Sequence, residues 1–430
     1  MTPFDTPPWI VWTMLFLVGA CVGSFLNVCI YRLPQHESVW QAWSSLHHPP
    51  SHCPYCQKRI WHRDNIPILG WLMIRGRCRF CRHRISFRYA FIELMNGLLW
   101  VGLYVALVPA GFSATVAESS LFTMLGPLRE TMPHHQLVLW LHVQYVYYLI
   151  LAETLVVASF IDFDLQIIPD SVTLPAMAAG LVGSLTGMVY LVPVWFQDPS
   201  VVTALWSIFI SPTGQAPWWT EVDVPRWCRS WPVLHGLIAS VVGLLVGGGI
   251  VWFVRIAGHW VFRREAMGFG DVVLMAMIGS FLGWQPTVVV FFLAPLCALM
   301  TVAATWMFSR QREIPFGPYL SLGALLVLFA WQPLFAATEK VFGLGPFLPV
   351  LALAMGIFLI AVLWLVQGLK WLLGIPMYDP EHHGEWTSAD QLGFMANRDL
   401  DAGRGALKPS QWPGSTAGRG TIHHHRWLGR

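Results

Sequence analysis

Charged side chains are scarce in this sequence. Asp, Glu, Lys and Arg together make up 11% of its 430 residues, against about 25% in soluble domains. So few charges cannot cover the surface of a soluble globule, and the mean hydropathy of +0.55 excludes a disordered chain. The net charge of only +3 gives no reason to expect a nucleic-acid partner. The composition therefore predicts an all-α polytopic membrane protein surrounded by membrane lipid.

Hydrophobic runs of about 20 residues mark transmembrane helices. The sixth run is shorter than a usual span, so we expect a bundle of eight or nine helices. The first run has no Lys or Arg before it and no small-residue cleavage site after it, which argues against a removed signal peptide. No internal repeat is visible, which disfavours a transporter built from duplicated halves. The nine runs cover residues 9–30, 89–110, 138–161, 172–195, 234–257, 270–283, 286–308, 317–335 and 347–372.

The distribution of basic residues predicts the orientation of this bundle. With the N-terminus outside, all but four of the 26 Lys and Arg fall on the cytoplasmic side, as the positive-inside rule requires. The four exceptions are Arg129, Arg226, Arg229 and Lys340. The opposite orientation would place the ten basic residues from Arg32 to Arg88 on the wrong face.

This topology divides the chain into four parts. Residues 1–30 form the first transmembrane helix and residues 31–88 a cytoplasmic domain. Residues 89–375 form the rest of the bundle, interrupted by a Trp- and Pro-rich external loop at about 196–232. Residues 376–430 are polar and Gly-rich, and we expect a disordered cytoplasmic tail there.

Four of the eight cysteines fall into two C-x2-C pairs within the cytoplasmic domain. The pairs are Cys53 with Cys56 and Cys78 with Cys81, a spacing that is typical of a zinc ribbon. Two disulfides are the alternative, but a reducing cytoplasm makes them a poor prediction. Four protein ligands leave no open position on the metal, so the sequence predicts a small zinc-ribbon-like domain with structural zinc.

Two aspartates at the ends of hydrophobic runs are candidate functional residues. Asp162 lies at the end of the third run and Asp271 at the start of the sixth, both at the cytoplasmic edge of the predicted bundle. Two facing carboxylates could share one proton and hydrolyse a peptide bond, one as general base and one as general acid. A proton or ion relay fits the same residue types, and helix caps are the simplest explanation for the nearby Asp164 and Asp170.

The sequence resembles the type IV prepilin peptidases, also called leader peptidase/N-methyltransferases, which are GxGD-type membrane aspartic peptidases. The resemblance extends from residue 18 to about residue 325 and includes the paired cysteines in their expected place. In this order and topology, the combination of motifs is highly specific. The other motifs are Gly23-Ser24-Phe25-Leu26-Asn27-Val28 with Arg32-Leu33-Pro34, Asp162 to Asp170 continuing to Thr173-Leu174-Pro175, Gly268-Phe269-Gly270-Asp271, and Ile314-Pro315-Phe316-Gly317-Pro318-Tyr319.

The resemblance implies a specific activity and location. Members of the family sit in the bacterial inner membrane and cut the basic leader from prepilins and pseudopilins after a Gly, at the cytoplasmic face. Many also methylate the new N-terminus with S-adenosylmethionine, and a peptidase without methylation is the alternative. By resemblance, Asp162 and Asp271 are the catalytic pair, and the stretch from Arg88 to Glu93 belongs to the region used for substrate recognition and methyl transfer. A proton- or metal-coupled transporter is the alternative from another class of protein.

Two positions depart from the family pattern. The family usually has Lys two residues after the GxGD aspartate, where this chain has Val273. It commonly has Pro before the conserved glutamate block, where this chain has Ala90. Neither change removes a catalytic group, but both bear on the pH optimum and on methylation efficiency.

Overall fold

The fold is known from a computed structural model, in which fourteen helices lie within the described residues. No extended strand forms there, and the prediction of an all-α membrane protein is confirmed. The described residues are 7–36, 38–47, 51–53, 55–108, 134–187, 189–211, 217–262, 267–306 and 315–373. The helices are α1 (Pro8–Arg32), α2 (Val39–Ser44), α3 (Leu69–Met73), α4 (Arg88–Leu107), α5 (His134–Leu165), α6 (Asp170–Ser184), α7 (Pro199–Phe209), α8 (Arg226–Ser230), α9 (Pro232–Phe262), α10 (Phe269–Leu282), α11 (Trp284–Trp306), α12 (Gly317–Phe329), α13 (Trp331–Phe342) and α14 (Leu348–Leu372).

Six of these helices (α1, α4, α5, α9, α11 and α14) are long and apolar enough to cross a membrane. Three shorter helices, α6, α10 and α12, occupy the places of the predicted fourth, sixth and eighth spans. Their 15, 14 and 13 residues give lengths of only about 20 Å at 1.5 Å per residue, against about 30 Å of hydrocarbon. The described chain thus has six full spans, or seven if the bent pair α12–α13 counts as one.

The predicted fourth span is only half helical. α6 ends at Ser184, and Gly187 then turns the chain with a φ of +80°, which disfavours any residue with a side chain. The following segment, from Val189 to Val194, is irregular yet buried. Irregular backbone at this depth must find hydrogen-bond partners inside the protein. Side chains of other helices are the hydrogen-bond partners of the backbone at Val189, Pro193 and Val194. They belong to Gln144, Tyr148, His235, Trp284 and Gln285.

The predicted eighth span is also shorter than expected. α12 ends at Phe329, and α13 continues at an angle of 96° to it. α13 carries Glu339 and Lys340 and is strongly amphipathic, so it suits a membrane surface better than the hydrocarbon core. The external loop packs against this region, since the backbone N–H of Asp198 donates to the carbonyl of Gly343. The loop and the end of α13 are therefore held together.

The core of the bundle surrounds α10. This helix packs against α5, α6, α9, α11 and α12, and eleven of its 14 residues are buried. α14 is its opposite: it packs chiefly on α9 and has no buried residue, as expected for a helix that faces lipid. The predicted disordered tail at 376–430 lies outside the described residues.

Candidate active site

Asp162 lies in the last turn of α5. The helix ends three residues later at Leu165, and Gln166 turns the chain with a left-handed φ of +53° while its N–H still donates to the carbonyl of Asp162. Because successive helical residues are rotated by 100°, Asp162 and Asp164 project from nearly opposite sides of α5. The two neighbouring acids therefore have different surroundings.

Asp271 occupies the first turn of α10. Gly268 is the N-cap residue with an extended backbone, and its N–H lies near the Asp271 carboxylate, in the position of the reciprocal half of a capping box. The positive end of the helix dipole also favours a negative charge at this position. The sequence Gly268-Phe269-Gly270-Asp271 thus begins the helix and orients the acid.

The fold brings these two aspartates together although they lie 109 residues apart in the sequence. Their exposed fractions are only 6% for Asp162 and 9% for Asp271, and the two carboxyl groups are close enough to interact electrostatically. Gly317, at the start of α12, lies directly beside the Asp162 carboxylate. Three helix ends therefore converge on one pair of acids.

There is no room for a side chain at residue 317, where these helix ends meet, so a glycine is required there. A Cβ atom at this residue would lie 2.5 Å from Oδ2 of Asp162 and 3.0 Å from Cδ1 of Ile168. Ile168 also fills the space beside Gly270. A Cβ atom added at Gly270 would lie 3.2 Å from the Cβ of Ile168. The two glycines thus let three backbones meet around Ile168 and Asp162.

The other two acids of this block have separate roles. Asp164 forms an ion pair with Arg88 at the start of α4, with N–O distances of 2.6 and 2.7 Å to its two carboxylate oxygens. The pair is well shielded from solvent, since the Arg88 side chain is 15% exposed and the Asp164 side chain 3% exposed. Asp170 is exposed and makes no capping hydrogen bond, because Pro169 is the N-cap residue of α6. The prediction that these two acids are helix caps is therefore wrong.

The Asp162–Asp271 pair has the chemistry that an aspartic peptidase needs. Two neighbouring carboxyl groups with little exposure cannot both ionise at low cost, and such a pair can share a proton. The ionised member could take a proton from water, and the protonated member could donate to the carbonyl oxygen of a peptide bond. Attack of the water oxygen on the carbonyl carbon would give a tetrahedral intermediate, and its collapse would break the C–N bond as the leaving nitrogen takes up the proton that was removed from water.

The four predicted metal ligands also come together. The Sγ atoms of Cys53 and Cys81 are 3.7 Å apart, those of Cys56 and Cys78 are 3.9 Å apart, and all four lie within 4.8 Å of one another. A tetrahedral zinc ion with Zn–S bonds of about 2.3 Å separates its sulfurs by ~3.8 Å. Two of the six sulfur–sulfur distances match this value, and the four sulfurs could hold one zinc ion.

Two matching turns build this cluster. In each, the backbone N–H of the first cysteine donates to the carbonyl five residues later, from Cys53 to Lys58 and from Cys78 to His83. A left-handed residue closes each turn, Gln57 with φ +55° and Arg82 with φ +60°. The spacing of two residues between cysteines thus has the same local geometry in both halves.

Hydrogen bonds attach the cysteine-containing segment to the membrane bundle. The N–H of Ile68 donates to the Glu93 carboxylate on α4, and the Ser24 side chain on α1 lies near the same carboxylate. Trp43 on α2 donates its indole N–H to the carbonyl of Ser171 on α6. These bonds hold the segment next to the end of the bundle that carries the aspartates.

Sequence reasoning missed two features of the site. The first is the contact of Gly317 with Asp162, although Gly317 belongs to one of the motifs that carry the family resemblance. The second is the pairing of Arg88 with Asp164. The sequence did indicate that two residues of opposite charge lie at membrane edges, and this was the only sign of the pair. Both are contacts between segments far apart in the chain, which a single sequence does not reveal.

Two family models match this chain. Residues 17–107 match the Bacterial Peptidase A24 N-terminal domain, and this stretch includes the second half of α1, the cysteine cluster and α4. Residues 229–303 match the Type IV leader peptidase family and include Asp271. Asp162 lies between the two matched stretches.

Curated relatives extend the match over most of the chain. The prepilin leader peptidase/N-methyltransferase of Aeromonas hydrophila is 29% identical over 345 residues, covering 75% of this chain and 91% of the relative. A protein of Klebsiella pneumoniae with the same name is 31% identical over 286 residues, covering 65% and 88%. The type 4 prepilin-like proteins leader peptide-processing enzyme of Escherichia coli is 30% identical over 323 residues, covering 72% and 91%.

No solved structure matches this chain. The relatives nevertheless align along nearly their whole length, and the matched regions contain both the cysteine cluster and the GxGD aspartate. The chain therefore belongs to the type IV leader peptidase family.

Proposed function

We propose that this protein cleaves the leader peptide of prepilins or pseudopilins after a Gly and methylates the new N-terminus. Family membership supports the activity, and the convergence of Asp162 and Asp271 at one end of the bundle supports the catalytic assignment. The substrate's apolar segment would lie in the membrane with its basic leader in the cytoplasm, so that the scissile bond reaches the pair at the membrane edge. The pair then performs the general acid–base hydrolysis described above.

The division of the chain follows the same proposal. Residues 1–30 form the first transmembrane helix, residues 31–88 a zinc-binding domain on the cytoplasmic side, residues 89–375 the peptidase bundle and residues 376–430 a cytoplasmic tail. The protein would lie in the bacterial inner membrane with its active site at the cytoplasmic face. The basic residues between Arg32 and Arg88 support this orientation.

Zinc would be held by Cys53, Cys56, Cys78 and Cys81 in a purely structural site, because four thiolates leave no open coordination position. Bound zinc would stabilise the loop that is tied to Glu93 and Ser171. S-adenosylmethionine would supply the methyl group as an electrophilic sulfonium.

The bifunctional enzyme is better supported than a peptidase alone. Several relatives carry both activities in their names, and the N-terminal family match includes the complete cysteine cluster. A transporter has no comparable support.

Mass spectrometry of a processed pilin tests the proposal. Purified protein is incubated with a prepilin substrate, with and without S-adenosylmethionine. We expect a new N-terminus after Gly in both reactions, and an increase of one methyl group only when the methyl donor is present. Cleavage without any methyl group would leave the peptidase assignment intact and contradict the second activity, whereas an uncut substrate would contradict the first.

A further inference from the structure

A groove of about 440 Å³ lies in the cytoplasmic domain, outside both the aspartate pair and the cysteine cluster. Arg75, Arg77 and Arg84 line it together with Trp71 and Phe87. It adjoins the first residue of α4, where the chain enters the membrane. Nothing in the peptidase chemistry uses this groove.

No carboxylate among the described residues pairs with these three arginines. Among the other arginines of the segment, Arg63 and Arg79 pair with Asp64, and Arg88 pairs with Asp164. The positive-inside rule explains an excess of basic residues on the cytoplasmic side. It does not predict that three arginines without carboxylate partners line one groove.

Arg77 and Arg84 are also direct partners in an antiparallel β-bridge. Residues directly opposite each other in such a pair have close side chains, and two like charges there are unfavourable. An anion bound between the guanidinium groups would remove this repulsion and bring charge-assisted hydrogen bonds. The groove is therefore suited to an anionic ligand, and neither a basic leader peptide nor the sulfonium of the methyl donor fits it.

The apolar residues indicate which anion it is. Phe87 is 59% exposed, and the exposed residues Leu69, Leu72 and Met73 lie on α3, just before the groove in the chain. The N–H preceding α3 bonds Glu93, more than one turn inside the membrane helix α4. The apolar surface therefore lies at the level of the membrane, where a ligand with both a phosphate and hydrocarbon is available.

We propose that this groove binds the headgroup phosphate of an anionic glycerophospholipid. The arginines hold the phosphate, while Phe87 and the exposed face of α3 contact the glycerol and acyl chains. This site fastens the zinc-binding domain to the inner leaflet, next to the hydrogen bond between Ile68 and Glu93. The proposal does not depend on the peptidase activity.

Native mass spectrometry of the full chain in neutral detergent tests it. The probes are dioctanoyl phosphatidylglycerol and, as the neutral match, dioctanoyl phosphatidylcholine. We expect the anionic lipid to bind in preference, and the triple variant R75Q/R77Q/R84Q to lose about 100-fold in affinity for it. The control R59Q/R63Q/R82Q also removes three positive charges from this domain, but at positions outside the groove. We expect it to keep the lipid affinity of the parent chain.

Two further measurements distinguish the lipid from a soluble anion. Glycerol phosphate and inorganic phosphate should displace the anionic lipid only at far higher concentration, and Phe87→Ser should weaken lipid binding while leaving phosphate binding unchanged. Displacement at equal concentration would assign the groove to a soluble phosphate and overturn the proposal. An equal loss in both triple variants would also overturn it, because general charge attraction would then explain the binding.

Folding of each variant is monitored by its zinc content and elution volume. If the triple variant loses zinc, the single substitution Arg84→Gln replaces it, with an expected loss of about ten-fold. Unchanged lipid affinity in that variant would contradict the assignment.

Discussion

The two clusters in this protein are assembled in opposite ways. The four cysteines lie within 29 consecutive positions, and two similar turns place them around one point. The aspartate pair instead depends on α5, α10 and α12, whose relevant residues extend from Asp162 to Gly317. A locally built site can lose a ligand without disturbing the bundle, whereas the aspartate pair is sensitive to any change in how three helix ends meet. The predictions below test this difference.

The largest expected effect is that of removing either acid. Asp162→Asn or Asp271→Asn should reduce cleavage by about 1,000-fold, because an amide can act neither as general base nor as a proton-sharing partner. Leader cleavage by purified protein measures the effect. Asp170→Asn, in the same block but exposed and without a capping role, is the matched control and should cleave normally. Full activity in either of the first two variants would refute the catalytic assignment.

The next effect comes from the contact between Gly317 and Asp162. Gly317→Ala would place a methyl group 2.5 Å from the carboxylate oxygen, so the acid or α12 must move. A displacement of about 1 Å at a reacting group can lower the rate about 100-fold, and we expect a loss of that order with normal membrane insertion. Gly249→Ala, which has nothing within 4 Å of its new Cβ, should be neutral. Equal rates for both variants would show that the contact is unimportant.

The Arg88–Asp164 pair tests how far the active site depends on helix packing. Arg88→Gln leaves a buried carboxylate without its partner, which we expect to cost about 3 kcal/mol of stability and to reduce cleavage about ten-fold. The double variant Arg88→Met with Asp164→Leu removes both charges and should recover part of the loss. Thermal inactivation of cleavage in detergent measures both. No recovery in the double variant would mean that the pair does more than connect α4 and α5.

The cysteine cluster should matter less for cleavage. Cys78→Ser should abolish stoichiometric zinc and make the 51–85 region sensitive to proteases, while cleavage falls only a few-fold because no thiolate reaches the aspartates. Zinc analysis and the cleavage assay measure the two properties separately. Cys21→Ser, outside the cluster, should retain one zinc per chain. A Cys78→Ser protein with as little activity as the aspartate variants would show that the two clusters are not independent.

The smallest effect on cleavage is expected from the N-cap of α7. The Asp198 carboxylate caps α7 by accepting from the N–H groups of Ser200 and Val201, and bonds from the Ser200 hydroxyl and these N–H groups lower the pKa of Asp198. The cap is therefore fully present above the unfolded-state pKa of about 3.9 and is lost as the pH falls through the lower folded-state value. Asp198→Ala should cost about 1 kcal/mol of local stability and leave cleavage unchanged, whereas Asp198→Asn should keep a capping oxygen and lose the pH dependence. Hydrogen exchange at residues 199–209 measures it, and a pH-independent cap in the parent protein would contradict this account.

Much of the fold could be predicted from hydropathy, because a long apolar segment in a chain with few charges has no stable alternative to a membrane helix. Three of the nine predicted spans nevertheless proved to be short helices. Hydropathy cannot distinguish an apolar helix from the irregular but buried segment from Val189 to Val194, whose backbone is satisfied by side chains of other helices. Nor does it register the bend at the end of α12, where the next residues remain mostly apolar.

By itself, the sequence determined the class of the protein and the grouping of four cysteines into one cluster, and it supplied the predicted orientation of the helices and the two candidate aspartates. These features follow from composition, charge placement and short motifs, which are local properties of the chain. Only the tertiary structure decided that Asp162 meets Asp271 while Asp164 meets Arg88, and that Gly317 leaves room for the first of these acids. Such contacts depend on which helix faces meet, and this is set by packing among segments that lie 76 to 155 residues apart in the sequence.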